Sequence, residues 1–513
     1  MGSKLLWLLA IIITLTTAVQ SQKKTCHPND LKGLQNFKNG ILIDTSYRLE
    51  NWTGNTCCKW EGISCNNTTG RVTQINLPGF YSSDDSPLQT SMNGYLSPSI
   101  TLLTSLEILD LSGLIGLTGN IPQSIGSRLP NLTKLSLWGN KLEGTLPESI
   151  GKLEKLEEMY LYENRFNGTL PQSLGNLKGI QILDLHSNIF SGGIPESIAN
   201  LTNLEILSLQ NNFLTREIPN NIGDLEVLKE LDLSNNSLSG IIPSSITKLV
   251  TISIMYLDNN RLEGEIPSLL GLPSLRFLRL NDNQLTGIIP YSFGYLTSLQ
   301  RISLANNKLE GSLPSSIGNL RSLTEMYLND NVISGPIPSS IGQLSQLLML
   351  NISNNMIQEP LPYEMASLTN LQTLDLSFNQ MKISYIPKWL LKLPSLSRIY
   401  LAGCGIEGGI SEDLKSTPSR LQELDLSVNR LKGNIPEWIG SLTELYSLKL
   451  QKNYFTGRIP DGFLKFTKLK ELDLSDNLLE GKIPYGKPLI DFPKGSYTGN
   501  RGLCGKPLDP CKD

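Results

Sequence analysis

Hydrophobic positions recur along this chain with a 24-residue period, which a series of prolines marks most clearly. The spacing holds without a slip over Pro147, Pro171, Pro195, Pro219, Pro243 and Pro267. After one 23-residue step the series continues at Pro290, Pro314, Pro338 and Pro362. One-residue insertions near Met381 and Pro418 disturb it later. A period of this length predicts a solenoid of stacked units.

Each unit reads LxxLxLxxNxLxGxIP, and its clearest copy spans residues 228–243. Within the LxL segment the leucines face inward and the residues between them face solvent. We count sixteen units from Leu106 to Pro484, after a degenerate unit that begins at Val72. No unit buries its leucines alone, so stacking is predicted to join the LxL segments into a long parallel sheet. Segments such as residues 149–153 and 316–320 are predicted to form short helical turns on the outer side.

The asparagine of each unit has a predicted structural role. Where the chain leaves the strand, backbone groups become buried, and an unsatisfied buried polar group costs about 1–3 kcal/mol. An inward-facing amide satisfies them. The position is filled by Asn140, Asn164, Asn188, Asn212, Asn236, Asn260, Asn283, Asn307, Asn331, Asn355, Asn379, Asn429, Asn453 and Asn477. Cys404 replaces it once and is predicted to be a buried repeat residue.

Both ends of the chain indicate an extracellular protein. Lys4 and the apolar residues 5–18 are typical of a secretory signal peptide, and the stretch is shorter than the ~20 residues that span a membrane. No later segment is predicted to span. Cysteines cluster near the two ends, at Cys26, Cys57, Cys58, Cys65, Cys504 and Cys511. Adjacent cysteines do not readily bond each other, so we favour Cys26–Cys57 with Cys58–Cys65, although sequence alone leaves the pairing open.

The outer half of the unit, LxGxIPxxIGxL in residues 142–153 and 309–320, resembles the plant-specific leucine-rich-repeat class. Residues 57–65 resemble the N-terminal cap of polygalacturonase-inhibiting proteins and plant receptor ectodomains, and residues 499–505 resemble their C-terminal cap. The resemblance implies a curved α/β solenoid with a parallel sheet on its concave face and disulfide-stapled caps. We expect a signal peptide at 1–21, an N-terminal cap at 22–70, about 17 repeats at 71–485 and a C-terminal cap at 486–513.

The net charge and the absence of catalytic motifs argue against several classes of function. A net charge of -3 argues against nucleic acid as a partner. The two histidines, His27 and His186, lie in different regions, and the sequence has no phosphate-binding loop, zinc-ligand pair or nucleophile elbow. We therefore expect no enzymatic activity, no cofactor and no metal. Asp258, Asp282 and Asp330 are interpreted as a solvated turn edge rather than a cation site.

Candidate binding residues are those that depart from the default LDLS strand. They are Trp138, Tyr160, Tyr162, Glu163, His186, Gln210, Tyr256, Arg279 and Tyr327. Because adjacent strands lie about 4.7–4.9 Å apart, these side chains are predicted to form a contiguous exposed stripe. Aromatic rings with a polar tip suit protein contacts or stacking on sugars. A plain repeat variant remains the alternative, since the MYL triplet recurs at Met159, Met255 and Met326.

Glycosylation sequons are also frequent, as expected for a secreted protein. They begin at Asn51, Asn66, Asn67, Asn131, Asn167, Asn200, Asn235 and Asn351. Asn235 and Asn351 are predicted to lie at or in the concave surface, where glycans would restrict access. Two contact zones are therefore favoured, 138–210 and 256–327, with the first preferred.

The leading hypothesis is a secreted recognition protein of the extracellular space or cell wall that acts in plant defence. Its partner would be a microbial wall-degrading enzyme or a plant receptor ectodomain. The alternative is a soluble receptor-type module that senses a peptide or an oligosaccharide and recruits a membrane receptor kinase. A wall-structural protein held by pectin is a third class, which the small net charge disfavours.

Overall fold

The structure is a computed structural model that describes residues 26–80, 91–269, 271–358, 360–381, 383–411 and 420–511. The signal peptide expected at 1–21 lies outside these residues. The chain divides into two compact units, residues 1–213 and residues 214–513. Each unit is a stack of repeats.

In unit 1 a sheet carries one strand from each repeat. Its parallel strands are β3 (Val72–Asn76), β5 (Ile108–Asp110), β7 (Lys134–Ser136), β9 (Glu158–Tyr160), β11 (Ile182–Asp184) and β13 (Ile206–Ser208). A further strand, β2 (Ile63–Cys65), pairs antiparallel with β3. Central apolar residues pair directly, as Leu135 does with Leu109 and with Met159, and all three are buried. The alternation predicted for the LxL segment is confirmed.

The sheet of unit 2 follows the same register. Its parallel strands are β15 (Glu230–Asp232), β17 (Ile254–Tyr256), β19 (Phe277–Arg279), β21 (Arg301–Ser303), β22 (Glu325–Tyr327), β24 (Met349–Asn351), β26 (Thr373–Asp375), β27 (Arg398–Tyr400), β29 (Glu423–Asp425), β31 (Ser447–Lys449) and β33 (Glu471–Asp473). Consecutive strands pair throughout, from β15 with β17 to β31 with β33. The predicted parallel pairing is therefore found across every step of this unit.

A second set of short strands lies outside the main sheets and, in most repeats, just after the asparagine position. In unit 1 these are β1 (Ile41–Asp44), β4 (Met92–Tyr95), β6 (Leu117–Gly119), β8 (Lys141–Gly144), β10 (Arg165–Thr169) and β12 (Ile189–Gly192), and β14 (Phe213–Leu214) lies at the unit boundary. In unit 2 they are β16 (Ser239–Ile241), β18 (Arg261–Glu265), β20 (Gln284–Thr286), β23 (Ser334–Gly335), β25 (Met356–Ile357), β28 (Glu407–Gly408), β30 (Arg430–Asn434), β32 (Tyr454–Gly457), β34 (Leu478–Lys482) and β35 (Gly502–Cys504). Gly168 shows why glycine is needed here: its φ is +74°, and a Cβ would lie 2.7 Å from Thr145 Cγ2.

Helical turns follow most of the repeat prolines. Unit 1 has helix α1 (Pro28–Gly40), the short helix α2 (Ile125–Arg128), and 3₁₀ turns at Cys57–Lys59, Pro98–Leu102, Glu148–Lys152, Gln172–Asn176 and Glu196–Asn200. Unit 2 has 3₁₀ turns at Ile222–Asp224, Ser244–Lys248, Tyr291–Tyr295, Ser315–Asn319, Ser339–Gln343, Tyr363–Ser367, Leu390–Lys392, Glu437–Ser441, Asp461–Lys465, Leu489–Asp491 and Lys494–Ser496. The turns predicted near residues 149–153 and 316–320 are confirmed within one residue.

The asparagines form the predicted ladder of hydrogen bonds. Asn331, only 8% exposed, donates from Nδ2 to the carbonyls of Leu304 and Leu328 and accepts from the Leu309 N–H at 2.9 Å. Each such amide therefore links its own repeat to the preceding one. This arrangement satisfies backbone groups that leave the strand inside the protein.

Cys404 occupies the same position and is fully buried, as predicted. Its Sγ donates to the Leu376 carbonyl at 3.1 Å, which reproduces one bond of the asparagine. A thiol has no equivalent of the amide oxygen, and among the described residues the Met381 N–H has no acceptor. The ladder is therefore incomplete at this repeat.

Disulfides close both ends of the described chain. The bonds are Cys26–Cys57, Cys58–Cys65 and Cys504–Cys511, which confirms the favoured pairing. In the N-terminal cap, the buried Asp30 carboxylate pairs with the Arg71 guanidinium at 2.9 Å. Across the described residues, no helix has the length and apolar character needed to cross a membrane.

Candidate ligand-binding surface

The outward side chains of each main sheet define what we call the strand face. In every repeat, column A holds the residue before the central apolar residue, column B the residue after it, and column C the residue two positions further on. The repeat that contains β9 illustrates this with Glu158 in column A, Tyr160 in column B and Tyr162 in column C. Parallel pairing in register aligns equal columns of consecutive repeats.

The predicted single stripe is wrong in detail, because the nine candidates occupy different columns. Column C contains Trp138, Tyr162, His186 and Gln210, and column B contains Tyr160, Tyr256, Arg279 and Tyr327. Glu163 lies one position beyond column C, in a turn with φ +53°. Side chains alternate between the two faces of a strand, so Tyr160 and Tyr162 both face outward. They lie two positions apart along the chain and therefore belong to different columns. All except the exposed Glu163 are half-buried.

In unit 1, column C is a stack of rings. Trp138 lies parallel to Tyr162, with ring centroids 5.0 Å apart, and Tyr162 lies parallel to His186 at 4.4 Å. His186 Nδ1 is 2.6 Å from Asp184 Oδ1, which fixes the imidazole in the stack. Since both faces of Tyr162 and one face each of Trp138 and His186 are covered by a neighbouring ring, the stack presents mainly ring edges and polar tips. This surface suits a protein or peptide better than a sugar that would stack on an open ring face.

Columns A and B of the same repeats add charge beside the stack. Lys134 Nζ lies 2.9 Å from Glu158 Oε2 and 5.3 Å from the centre of the Tyr160 ring. Burial, and then the nearby Glu158 carboxylate, raises the pKa of Tyr160 to about 12. Tyr160 therefore stays a neutral hydrogen-bonding phenol at physiological pH. In column C, the Gln210 Oε1 atom is buried without a hydrogen-bond partner.

In unit 2 the candidates Arg279 and Tyr327 lie in one cleft of about 320 Å³, which we call the arginine cleft. It is lined by Asp258, Arg279, Asn281, Arg301, Ser303, Glu325 and Tyr327. Tyr256 lies beneath it, because the Arg279 guanidinium is 4.5 Å above the Tyr256 ring centre. Arg301 bonds to Glu325, and the Tyr327 hydroxyl donates to Glu325 at 3.0 Å. The second predicted contact zone, residues 256–327, therefore contains a cleft lined by charged side chains.

The interpretation of Asp258 as part of a solvated turn edge is wrong. Asp258 is only 6% exposed; it stands in column C, where the preceding repeat has the buried Ser234. Burial raises the pKa of its carboxyl group. The signal in the sequence was an acidic residue in column C, where serine is the most frequent residue. Arg301 and Glu325, in column A, were missed because the sequence gives no measure of how deeply neighbouring repeats cover them.

A second recess in unit 2, the Tyr400 cleft, has a volume of about 450 Å³. Tyr400 lies in column B between Asp375 and Asp425, and its hydroxyl donates to Glu423. Ala402 fills column C, where the repeats on either side carry serine. Asp375 and Asp425 belong to copies of the default LDLS strand. Asp425 Oδ1 accepts from both Ser427 N and Ser427 Oγ.

A third cleft in unit 2, of about 1050 Å³, lies among the outer turns rather than on the strand face. Its walls include Tyr363, Tyr385 and Trp389, with Lys392 at its side. It lies at the irregular repeat that follows the insertion near Met381.

The glycosylation candidates are all accessible to some degree. Asn351 is half-buried in column B of unit 2, and its Oδ1 accepts from both Ser353 N and Ser353 Oγ. Asn131 and Asn167 are also half-buried, and the remaining candidates are exposed at Asn51, Asn66, Asn67, Asn200 and Asn235. Their modification stays a prediction. Among the described residues, the sulfurs of Cys57, Cys58 and Cys65 lie close together, but all are held in disulfides and are not thiolate ligands.

Comparison with known proteins agrees with this geometry. Residues 264–483 match the family described as leucine-rich repeat region, residues 27–66 match the leucine rich repeat N-terminal domain, and residues 130–190 and 202–262 match the leucine rich repeat. The chain belongs to the leucine-rich-repeat family.

Within that family it is similar to plant receptor ectodomains. The solved structure of the plant peptide hormone receptor RGFR1 in complex with RGF2 is 32% identical, with a TM-score of 0.74 over 83% of this chain and 73% of that chain. The ectodomain of the Arabidopsis receptor kinase HAESA, solved with the peptide hormone IDA and the co-receptor SERK1, is 30% identical over 93% of this chain and 98% of that chain, with a TM-score of 0.51.

Curated relatives match over shorter regions. The DNA damage-repair/toleration protein DRT100 of Arabidopsis thaliana is 38% identical over 26% of this chain and 37% of its own length. Phytosulfokine receptor 1 of the same plant is 34% identical over 24% of this chain and 11% of its own length. The chain thus covers well under two thirds of these relatives.

Proposed function

We propose that the chain is an extracellular, non-catalytic recognition protein that binds a peptide, or an extended segment of a protein, on its strand faces. The alignment of columns B and C carries this proposal. Side chains with hydrogen-bonding, aromatic and charged groups repeat from strand to strand every ~4.8 Å, so an extended partner that lies across the strands contacts one repeat after another. Two similar ectodomains were solved with peptide hormones, which supports a peptide ligand.

The chemistry of the surface supports binding rather than catalysis. Stacked rings in unit 1, the guanidinium above Tyr256 and the ion pairs of unit 2 are recognition contacts. Disulfides at both ends suit an oxidising compartment, so we propose the extracellular space or the cell wall as its location. This conclusion favours the receptor-type alternative drawn from the sequence over an inhibitor of one enzyme.

A protein partner in defence stays a second candidate. The edge-on ring stack of Trp138, Tyr162 and His186 is a broad surface that a microbial wall-degrading enzyme or a receptor ectodomain could cover. Assays of such enzymes with and without the purified chain separate the two candidates. Inhibition that depends on the ring stack would favour the enzyme partner, whereas peptide binding without inhibition would favour the receptor-type module.

The direct test is selection of phage-displayed random linear peptides on the purified chain. Selected peptides are then measured by calorimetry against a face variant that combines Tyr162→Ala with Arg279→Ser. The matched control combines Tyr291→Ala with Tyr363→Ala, which removes tyrosines that are 60% and 74% exposed in the outer turns. We expect the control to bind like the wild type and the face variant to bind about tenfold more weakly or worse. Equal affinities for all three proteins, or failure to select any peptide, would contradict the proposal.

A further inference from the structure

The arginine cleft contains a buried acceptor that no group of the protein satisfies. Asp258 is 6% exposed, and its Oδ2 accepts from Asn259 Nδ2 at 2.9 Å. Its Oδ1 is buried and has no hydrogen-bond partner. Buried polar atoms are nearly always paired in folded proteins, and an ionised oxygen is the costliest to leave unpaired. An unpaired carboxylate oxygen in the wall of an open cleft therefore indicates a donor supplied from outside.

The same cleft contains unsatisfied donors. Arg301 bonds to Glu325 through its terminal nitrogen, but its Nε is buried without an acceptor. The Arg279 guanidinium lies on the Tyr256 ring and makes no hydrogen bond or ion pair with any residue that the structure describes. Stacking holds this guanidinium flat and leaves its N–H groups to the cleft. The cleft thus has acceptor and donor groups available together.

The formal charges of the cleft cancel. Asp258 and Glu325 carry two negative charges, and Arg279 and Arg301 carry two positive charges. A ligand carboxylate would satisfy the arginines but would offer no donor to Asp258 and would meet its like charge. A ligand ammonium would satisfy Asp258 but would face both guanidinium groups. A neutral group that both donates and accepts meets all of these requirements.

From this arrangement, we propose that the arginine cleft binds a neutral carboxamide, the side chain of a glutamine or asparagine in the bound peptide. The amide NH₂ donates to Asp258 Oδ1, and the amide oxygen accepts from Arg279 or from Arg301 Nε. A cleft of about 320 Å³ suits one side chain with its flanking backbone. This inference rests on the proposed peptide-binding function and adds the residue type that the cleft selects.

The test uses single capped amino acids, so it does not require a known peptide. The probes are the N-acetyl, N-methylamide derivatives of glutamine, glutamate, lysine and methionine, measured by saturation-transfer NMR against the purified chain. Methionine controls for the capping amides. Two variants remove the acceptor and the donor: Asp258→Ser and Arg279→Ser. Both introduce a residue that another repeat carries in the same column, Ser234 and Ser303 respectively, so both proteins should fold.

Gln451→Ser serves as the matched control variant, because Gln451 is also in column C and also has a buried, unpaired oxygen, but it lines the Tyr400 cleft. We expect the glutamine probe to bind the wild type and the control equally and to bind either cleft variant about tenfold more weakly or worse. The other probes should bind the wild type about tenfold more weakly than glutamine.

Other outcomes overturn the inference. Preferential binding of the glutamate probe would make the cleft an anion site, and preference for lysine would make it a cation site. Glutamine binding that survives Asp258→Ser would place the probe elsewhere, and no binding of any probe would leave the cleft without this role. The proposed function is tested separately: peptides that depend on the strand face but lack glutamine and asparagine would refute the carboxamide alone.

Discussion

Asn331→Leu isolates the contribution of a single rung of the asparagine ladder. The leucine has the same branched shape and the same number of side-chain heavy atoms but cannot form hydrogen bonds. Asn331 is 8% exposed, and Nδ2 donates to the carbonyls of Leu304, Leu328 and Asn329 at 3.0–3.2 Å. Its Oδ1 accepts from the Leu309 N–H at 2.9 Å. The substitution therefore removes every bond between this amide and the backbone.

The three carbonyls keep other partners. Leu304 O still accepts from Asn307 Nδ2, Leu328 O from Asn355 Nδ2, and Asn329 O from the Asn306 N–H. Only the Leu309 N–H is left buried and unpaired. One orphaned buried donor costs about 1–3 kcal/mol, so we expect that loss of stability.

Because a repeat array can open locally, hydrogen exchange at the Leu309 amide is the appropriate assay. The expected cost corresponds to exchange about 5- to 150-fold faster than in the wild type. Asn319→Leu makes the same chemical change at an exposed position in the turn Ser315–Asn319 and should change stability by no more than about 0.5 kcal/mol. Unchanged exchange at Leu309, or an equal effect of the control, would refute the reasoning.

Three further predictions follow from the same contacts. Cys404→Asn should stabilise unit 2 by about 1 kcal/mol by giving the Met381 N–H an acceptor, and exchange at that amide should slow. Burial raises the pKa of Asp258 above its ordinary value of 3.8, so its ionisation costs stability as pH rises; Asp258→Ser should therefore gain about 1 kcal/mol at pH 7, a gain that shrinks in denaturation curves as pH falls toward about 4 and changes no further below it. Selected peptides should bind at least about tenfold more weakly, in calorimetry on a verified folded protein, to the combined alanine variant of Trp138, Tyr160 and Tyr162. Faster hydrogen exchange at the Met381 amide would contradict the first prediction. A stability gain that does not depend on pH would contradict the second, and an unchanged peptide affinity would contradict the third.

Precedent for the Cys404→Asn prediction comes from the following repeat. Asn429 also follows a one-residue insertion, yet its Oδ1 accepts from the Ile406 N–H, 23 residues earlier. Met381 precedes Cys404 by the same 23 residues. The insertion by itself is therefore compatible with a complete rung, and the chemistry of the thiol explains the gap.

The sequence predicts the interior of this protein well because the interior repeats. Each leucine of the LxL segment meets its own equivalent in the next repeat, as Leu350 meets Leu374, so one pattern determines all of the contacts. The asparagine ladder is predictable for the same reason. The disulfide pairing could be predicted because the clustered cysteines allow few alternative pairings.

The strand face is less predictable because its residues differ from repeat to repeat. The burial of Asp258 depends on side chains in neighbouring repeats, including Arg279, and no periodic pattern reports it. Likewise, the parallel stacking of Tyr162 between Trp138 and His186 depends on three consecutive ring-bearing repeats. The sequence identified these residues as unusual, but the columns that they share become evident only from the register of the sheet.

The central claim, that ligand binds on the strand face, is tested most directly by placing a glycan there. Ser303→Asn with Ala305→Ser creates a sequon in the same register as the native Asn351–Ile352–Ser353 segment, beside the arginine cleft. Ala305→Ser alone, which lacks the sequon and leaves the lining of the arginine cleft unchanged, is the matched control. When both are secreted from a glycosylating host, we predict that a peptide selected on the wild type binds the control normally and loses binding to the glycosylated protein. Full binding to a protein with verified glycan occupancy would contradict the account.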